Sequence, residues 1–146
     1  MFKSKQVRNG LVDAVLLVAF LAEFYMSLTG IDLHQWLGIV IGLGAGYHLL
    51  AHWKWVEAVL ARFFKAMPGQ SRWYAMLDAA LLVGLVLIIE SGVILSTWLN
   101  LSLSNYAAWS AFHSAASIIT LLLLVTKLVL HWRWIVRTLG AAFGIP

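Results

Sequence analysis

Cysteine is absent from this chain. A disulfide, an iron–sulfur cluster held by thiolates and a covalently attached c-type haem all require cysteine. The sequence therefore excludes these three features. A cofactor that is held by histidine alone is not excluded.

Charged residues are also scarce. They make up 11% of the 146 residues, and 62% of the chain is hydrophobic, whereas about 25% of a typical soluble domain is charged. This composition indicates an integral membrane protein surrounded by lipid, and the length fits one domain, residues 1–146. The net charge of +4 does not indicate a nucleic-acid partner, because the basic residues follow the membrane topology described below.

Four apolar windows are long enough to cross a bilayer. They cover residues 11–30, 33–56, 74–99 and 106–136. The first two are joined by a tight connection in which Gly30 ends one helix and Asp32 caps the next. The first window follows basic residues, as in a signal peptide, but it is longer than a typical signal-peptide core and no cleavage site follows it. We therefore expect it to be a retained span.

Lys and Arg predict the orientation of these spans. The connections on one side of the membrane contain neither residue type, so the positive-inside rule places both termini in the cytoplasm. The basic side carries Lys3, Lys5, Arg8, Lys54, Arg62, Lys65, Arg72, Arg133 and Arg137. An interfacial tryptophan belt is expected on the same side, from Trp53, Trp55, Trp73, Trp132 and Trp134.

The chain contains an internal repeat. The string HWKWV that begins at His52 is nearly the same as HWRWI, which begins at His131. Near the starts of the first and third spans, Asp13 and Asp78 occupy similar strings. We predict an all-α integral membrane four-helix bundle built from two repeated helical hairpins. The repeats cover residues 8–65 and 72–140.

Four histidines follow the repeat. His34 and His52 are 18 residues apart, as are His113 and His131, which is five helical turns or ~27 Å along an axis. The second and fourth helices run in the same direction, so His34 should face His113 and His52 should face His131. A haem iron takes two axial ligands from opposite sides, and helical bundles hold such groups between facing helices. The pattern predicts two haem b groups, with His34 and His113 on the outer iron and His52 and His131 on the inner iron.

Each histidine has a simpler interpretation when taken alone. A histidine near a helix end is often an interfacial residue with a solvated ring. Four histidines in a repeated, face-aligned pattern favour ligation, because ionisable groups inside spans are costly and usually functional. The glycine-rich run at residues 38–46 has two interpretations: it admits a flat macrocycle, or it allows close helix packing.

His48 and Lys127 are repeat-equivalent positions. No histidine is expected opposite His48, so we predict a contact to a haem propionate or a quinone, or a bond to a backbone carbonyl. Lys127 is expected to reach water or to pair with a propionate.

The acidic residues near or inside the spans also have alternative roles. Asp13 and Asp78 would hold the Nδ1–H group of an inner ligand histidine, or they are helix-start carboxylates that the macrodipole favours. Glu23 and Glu90 are proton-handling groups in quinol chemistry, or neutral acids bonded across helices.

The string HLLAHWKW, from His48 to Trp55, resembles the signature of the flavinylation-associated cytochromes, small di-haem cytochrome b-like proteins of bacterial membranes. The resemblance covers both hairpins. It implies haem b on His34, His52, His113 and His131 and a location in the bacterial inner membrane. It also implies electron transfer across the membrane, often with flavin or haem proteins outside the cytoplasm. The partner subunits that we predict are flavin, haem or iron–sulfur proteins. Lys127 departs from the family pattern, because a histidine would stand there.

The sequence therefore predicts transmembrane electron transfer by the membrane subunit of a larger redox complex, with quinone or a protein as partner. Such a chain is an electron-transfer component, for instance of a quinol oxidoreductase, rather than a stand-alone enzyme. One alternative is a cofactor-free accessory subunit of a larger assembly. Another is an ion pathway that uses Glu23, Glu90 and the histidines.

Overall fold

A computed structural model describes residues 2–63, 65 and 68–143, and these residues are all in helices or their connections. The five helices are α1 (Phe2–Ala22), α2 (Met26–Ala51), α3 (Trp53–Phe63), α4 (Gly69–Leu95) and α5 (Tyr106–Phe143). No strand occurs in these ranges. The predicted all-α class is therefore confirmed.

Two of the helices are long and apolar enough to cross a membrane. They are α4 (Gly69–Leu95) and the Tyr106–Arg137 part of α5. Within α1, Gly10–Ala22 is a shorter apolar segment. At ~1.5 Å per residue, both longer helices exceed the ~30 Å hydrocarbon thickness of a bilayer. α1 and α2 lie where the first two apolar windows are found in the sequence.

The surface of the molecule is unusually large and apolar. Its accessible area is 10823 Å², whereas a soluble monomer of this length exposes roughly 7,500 Å². Among the described side chains, the buried apolar ones are Phe20, Ile41, Ala75 and Ala116. Most large apolar side chains thus point outward, which is the arrangement expected when lipid covers the helices.

The first hairpin differs in detail from the prediction. α1 ends at Ala22, because backbone bonds from Phe24 to Leu21 and from Tyr25 to Ala22 form a turn there. The predicted break at Gly30 is present (φ +66), but it lies within α2. Asp32 therefore lies inside α2 and does not cap its start.

The second apolar window also ends differently. α2 stops at Ala51, and His52 (φ −105, ψ 13) separates it from α3. The predicted second span covers residues up to 56, but Trp53–Phe63 form a helix of their own.

The helices pack in two pairs that also meet each other. α1 packs on α2, α4 packs on α5, and α2 contacts α4. α4 and α5 lie close together at Gly84, where a Cβ atom would collide with the Thr120 hydroxyl. Thr120 is buried and donates to the Ala116 carbonyl at 2.8 Å. Small residues allow such close contacts between membrane helices.

Candidate cofactor site

The structure places His34 of α2 against His113 of α5. The centroids of the two imidazole rings are 6.2 Å apart, and the ring planes are inclined at 77°. Since α2 and α5 belong to different hairpins, this contact joins the two halves of the chain.

Ser91 of α4 fixes the orientation of the His113 ring. The buried Ser91 hydroxyl lies 2.6 Å from the Leu87 carbonyl oxygen and 3.0 Å from Nδ1 of His113. A hydroxyl has one proton, and the Leu87 carbonyl can only accept, so Ser91 donates to the carbonyl and accepts from Nδ1–H. The hydrogen-bond pattern therefore assigns the proton of a neutral His113 to Nδ1 and leaves the lone pair on Nε2.

Glu23 holds the His34 ring in a similar way. Its Oε2 lies 2.5 Å from Nδ1 of His34, and both side chains are largely buried. The contact lacks regular hydrogen-bond geometry, but two lone pairs would repel each other at this distance. With Glu23 ionised, the proton lies on Nδ1, and Nε2 of His34 carries the lone pair. The other oxygen, Oε1, is buried and has no hydrogen-bond partner among the described residues.

The distance between the two ring centroids matches that of two ligands of one metal ion. Histidines that bind metals usually donate their other ring N–H to a carboxylate, a carbonyl or a comparable acceptor. His113 does so to Ser91, and Nδ1 of His34 lies against the Glu23 carboxylate without regular hydrogen-bond geometry. Imidazoles bound from opposite sides, with metal–nitrogen bonds of about 2.0–2.1 Å as in zinc sites, have their centroids roughly 6 Å apart. The observed separation of 6.2 Å agrees with that spacing.

A cavity of about 290 Å³ surrounds this pair. Its walls include Phe20, Glu23, Gly38 and Gly92 together with the two histidines. A Cβ atom at Gly92 would lie 3.2 Å from Cε1 of His113. A larger residue at position 92 would therefore crowd the His113 ring. The cavity is thus shaped by small residues on both α2 and α4.

The glycines of α2 have different surroundings. Gly42 and Gly44 pack against the side chains of Ile89 and Leu16, respectively. At Gly38, which lines the cavity, a Cβ atom would meet nothing within 4 Å. Close helix packing therefore explains Gly42 and Gly44, while Gly38 leaves open space beside His34.

The inner histidines lie 18 residues further along, His52 directly after α2 and His131 in the C-terminal half of α5. His52 separates α2 from α3, and its ring lies 4.7 Å from that of His48. The His131 ring lies 4.8 Å from that of Tyr74, and Nδ1 of His131 donates to the Lys127 carbonyl at 3.0 Å. A carbonyl only accepts, so a neutral His131 also has its lone pair on Nε2.

Two pairs of an acidic and a basic side chain occupy equivalent positions in the hairpins. Asp13 of α1 lies 2.9 Å from Nδ1 of His48, and Asp78 of α4 lies 2.5 Å from Nζ of Lys127. The prediction that Asp78 would hold an inner ligand ring is wrong for His131, whose Nδ1 bonds to its own helix. In both hairpins, the acid pairs with the residue one turn before the inner histidine.

The role of Ser91 was missed from the sequence, although Ser91-Gly92 was visible as a short motif. Glu23 was singled out, but its contact with His34 depends on the turn at residues 23–25, which was not predicted. The side chain of Glu90, the other acid considered, is exposed on α4.

Within the described ranges, no group of three or more His, Cys, Asp and Glu side chains is placed to hold a metal ion. A haem iron needs only two protein ligands, because the macrocycle supplies the others.

No protein-family model, curated protein or solved structure is similar to this chain by the comparisons made. The resemblance to the flavinylation-associated cytochromes therefore stays a prediction that rests on the histidine–tryptophan motif.

Proposed function

We propose that this chain is a membrane cytochrome of the b type that transfers electrons across the bilayer. The observation that carries the proposal is the contact between His34 and His113. These rings come from separate hairpins and lie at a spacing suited to one metal ion. Nε2 carries the lone pair in a neutral His113, and in His34 when Glu23 is ionised. Facing imidazoles with this proton arrangement are the ligand set that a b-type haem requires.

In this proposal α1, α2, α4 and α5 form the four-helix membrane bundle. Its surface supports the assignment, since large apolar side chains such as Val40, Leu43, Ile119 and Leu122 are exposed. α1 and α2 form one hairpin and α4 and α5 the other, so the ligand helices α2 and α5 run parallel. Parallel ligand helices bring repeat-equivalent histidines to equal heights.

His34 and His113 would hold the outer haem, and His52 and His131 the inner one. The iron of each haem would accept and release one electron. Glu23 and Ser91 would keep the outer rings in the tautomer that can bind iron. His48 and Lys127 are paired with Asp13 and Asp78, so we propose that these pairs hold the hairpins together rather than contact propionates.

The distance between His34 and His52 along α2 fits electron transfer between the two faces of the membrane. α2 continues from Ile31 to Ala51 after the break at Gly30, so His34 and His52 lie ~27 Å apart along its axis. That separation is close to the ~30 Å thickness of the hydrocarbon core. A haem at each end could exchange electrons with a different partner at each face.

We further propose that the chain is the membrane subunit of a larger redox complex in a bacterial cytoplasmic membrane, with both termini in the cytoplasm. The basic side of the helices supports this orientation. The partners would be quinone or flavin, haem or iron–sulfur proteins, of which the family resemblance implies the flavin and haem proteins.

The absorption spectrum of the purified protein tests the proposal. Oxidised and dithionite-reduced samples should differ by a sharp b-type α-band, and pyridine-haemochrome analysis should give two haems per chain. His48→Ala is a matched control, since it removes a histidine that we do not assign as a ligand and should leave both haems. A featureless spectrum after expression with haem supplied would refute the proposal and favour a cofactor-free accessory subunit.

A further inference from the structure

α3 is an amphipathic helix whose apolar side is incompletely covered by the rest of the chain. None of its residues is buried. At ~100° per residue, its side chains separate into two arcs. The apolar arc contains Trp53, Trp55, Val56, Val59, Leu60 and Phe63, and the polar arc contains Lys54, Glu57, Ala58, Ala61 and Arg62.

Only some side chains of the apolar arc are shielded from solvent. Val56, Val59 and Phe63 are half-buried, whereas Leu60 is 62% exposed and Trp55 is 51% exposed. The edge of α3 at Val56, Val59 and Phe63 is therefore partly covered, and the large apolar side chains beside that edge are uncovered. Uncovered side chains of this size favour an apolar or interfacial environment.

The connections of α3 keep it near one membrane face. It follows α2 after the single residue His52, and five residues separate Phe63 from Gly69, where the spanning helix α4 begins. The six Cα–Cα steps from Phe63 to Gly69 reach at most ~22 Å when fully extended. The C-terminal end of α3 must therefore lie within that distance of the end of α4.

The charges of α3 complement an anionic surface. Lys54 and Arg62 lie on its polar arc, and Lys65 follows it. The one acid, Glu57, lies 2.8 Å from Nε1 of Trp53 and accepts its hydrogen bond. Basic, tryptophan-bearing amphipathic helices bind in the interfacial layer of membranes, where anionic headgroups attract their charges.

We propose that α3 lies in the interfacial layer of the bilayer, with Trp53, Trp55 and Leu60 in the apolar boundary and Lys54 and Arg62 among anionic headgroups. This inference concerns a surface that is separate from the histidine site, and it does not depend on haem. It assigns the cytoplasmic end of the first hairpin to lipid rather than to a protein partner.

The absence of cysteine allows a direct test by site-directed spin labelling. Leu60→Cys places a nitroxide on the apolar arc, and Ala61→Cys, the neighbouring residue on the polar arc, is the matched control. Each protein is placed in bilayers of phosphatidylcholine, with or without phosphatidylglycerol. Collision rates are measured with oxygen, which dissolves in lipid, and with a nickel chelate, which stays in water.

The proposal expects the label at position 60 to collide mainly with oxygen and the label at position 61 mainly with nickel. Equal access of nickel to both positions would overturn it, because α3 would then stand in water. Shielding of position 60 from both reagents would also overturn it. Spin–spin broadening that disappears on dilution with unlabelled protein would then identify a second copy of the chain as the cover.

The headgroup contribution is tested separately by adding Lys54→Gln and Arg62→Gln to the Leu60→Cys protein. The oxygen-to-nickel collision ratio should fall in bilayers that contain phosphatidylglycerol and change little in phosphatidylcholine alone. An equal change in both lipids would overturn the role assigned to anionic headgroups.

Discussion

The ion pair between Asp78 and Lys127 gives a quantitative test of how α4 and α5 are held together. Lys127→Met removes the ammonium group but keeps an unbranched side chain of similar length. Breaking a fully buried pair costs about 3–5 kcal/mol, whereas exposed pairs contribute about 0.2–1 kcal/mol. The Asp78 and Lys127 side chains are 27% and 37% exposed, so we expect a loss of about 1–3 kcal/mol in the free energy of unfolding.

The equivalent pair in the first hairpin supplies an internal comparison. Asp13 and His48 are 51% and 38% exposed, so His48→Gln should cost less, about 0.2–1 kcal/mol. The assay is reversible unfolding in mixed micelles, followed by circular dichroism. Lys127→Met should also keep both haems, because Lys127 is not assigned as a ligand.

A double-mutant cycle decides whether the pair itself is responsible. Adding Asp78→Asn to Lys127→Met removes the unpaired carboxylate and should recover part of the lost stability, since contacting residues are not additive. The reasoning would be refuted if Lys127→Met cost under about 0.5 kcal/mol, or if the two changes simply added.

Two further substitutions test the outer site and the helix contact. Glu23→Ala should weaken binding of the outer haem by about 10–100-fold, because Nδ1 of His34 loses its partner. Asp13→Asn is the control and should leave the affinity unchanged. Titration of the apoprotein with haem measures both affinities. Gly84→Ile should lower the free energy of unfolding by about 1–3 kcal/mol or more through collision with Thr120. An unchanged unfolding curve would contradict the close α4–α5 contact.

Much of the architecture follows from short-range patterns in the sequence. Apolar windows indicate helices wherever they occur, and the repeat relates His34 to His113 before any coordinates are known. A five-turn spacing on one helix also fixes the separation of His34 and His52, since helical geometry varies little. These features depend on residues that are close in sequence, or on the equivalence of the two repeats within the chain.

The remaining features depend on tertiary contacts that the repeat does not encode. Ser91 becomes a partner of His113 only because α4 packs along α5 at a particular height. Glu23 reaches His34 because α1 ends early, at the turn formed by residues 23–25. This turn contains neither proline nor glycine, so the sequence gives no local signal for it. The division of residues 53–63 from α2 was missed because apolar content alone does not distinguish a span from an amphipathic helix that continues it.

Haem content in single and double histidine variants tests the central claim, that His34 and His113 bind one shared haem, most directly. We expect two haems per chain in the unsubstituted protein and one in His34→Ala, in His113→Ala and in the double variant alike, with the remaining inner haem reporting that the protein is folded. Two haems in either single variant, or none in the double variant while each single variant keeps one, would contradict a shared haem at this site.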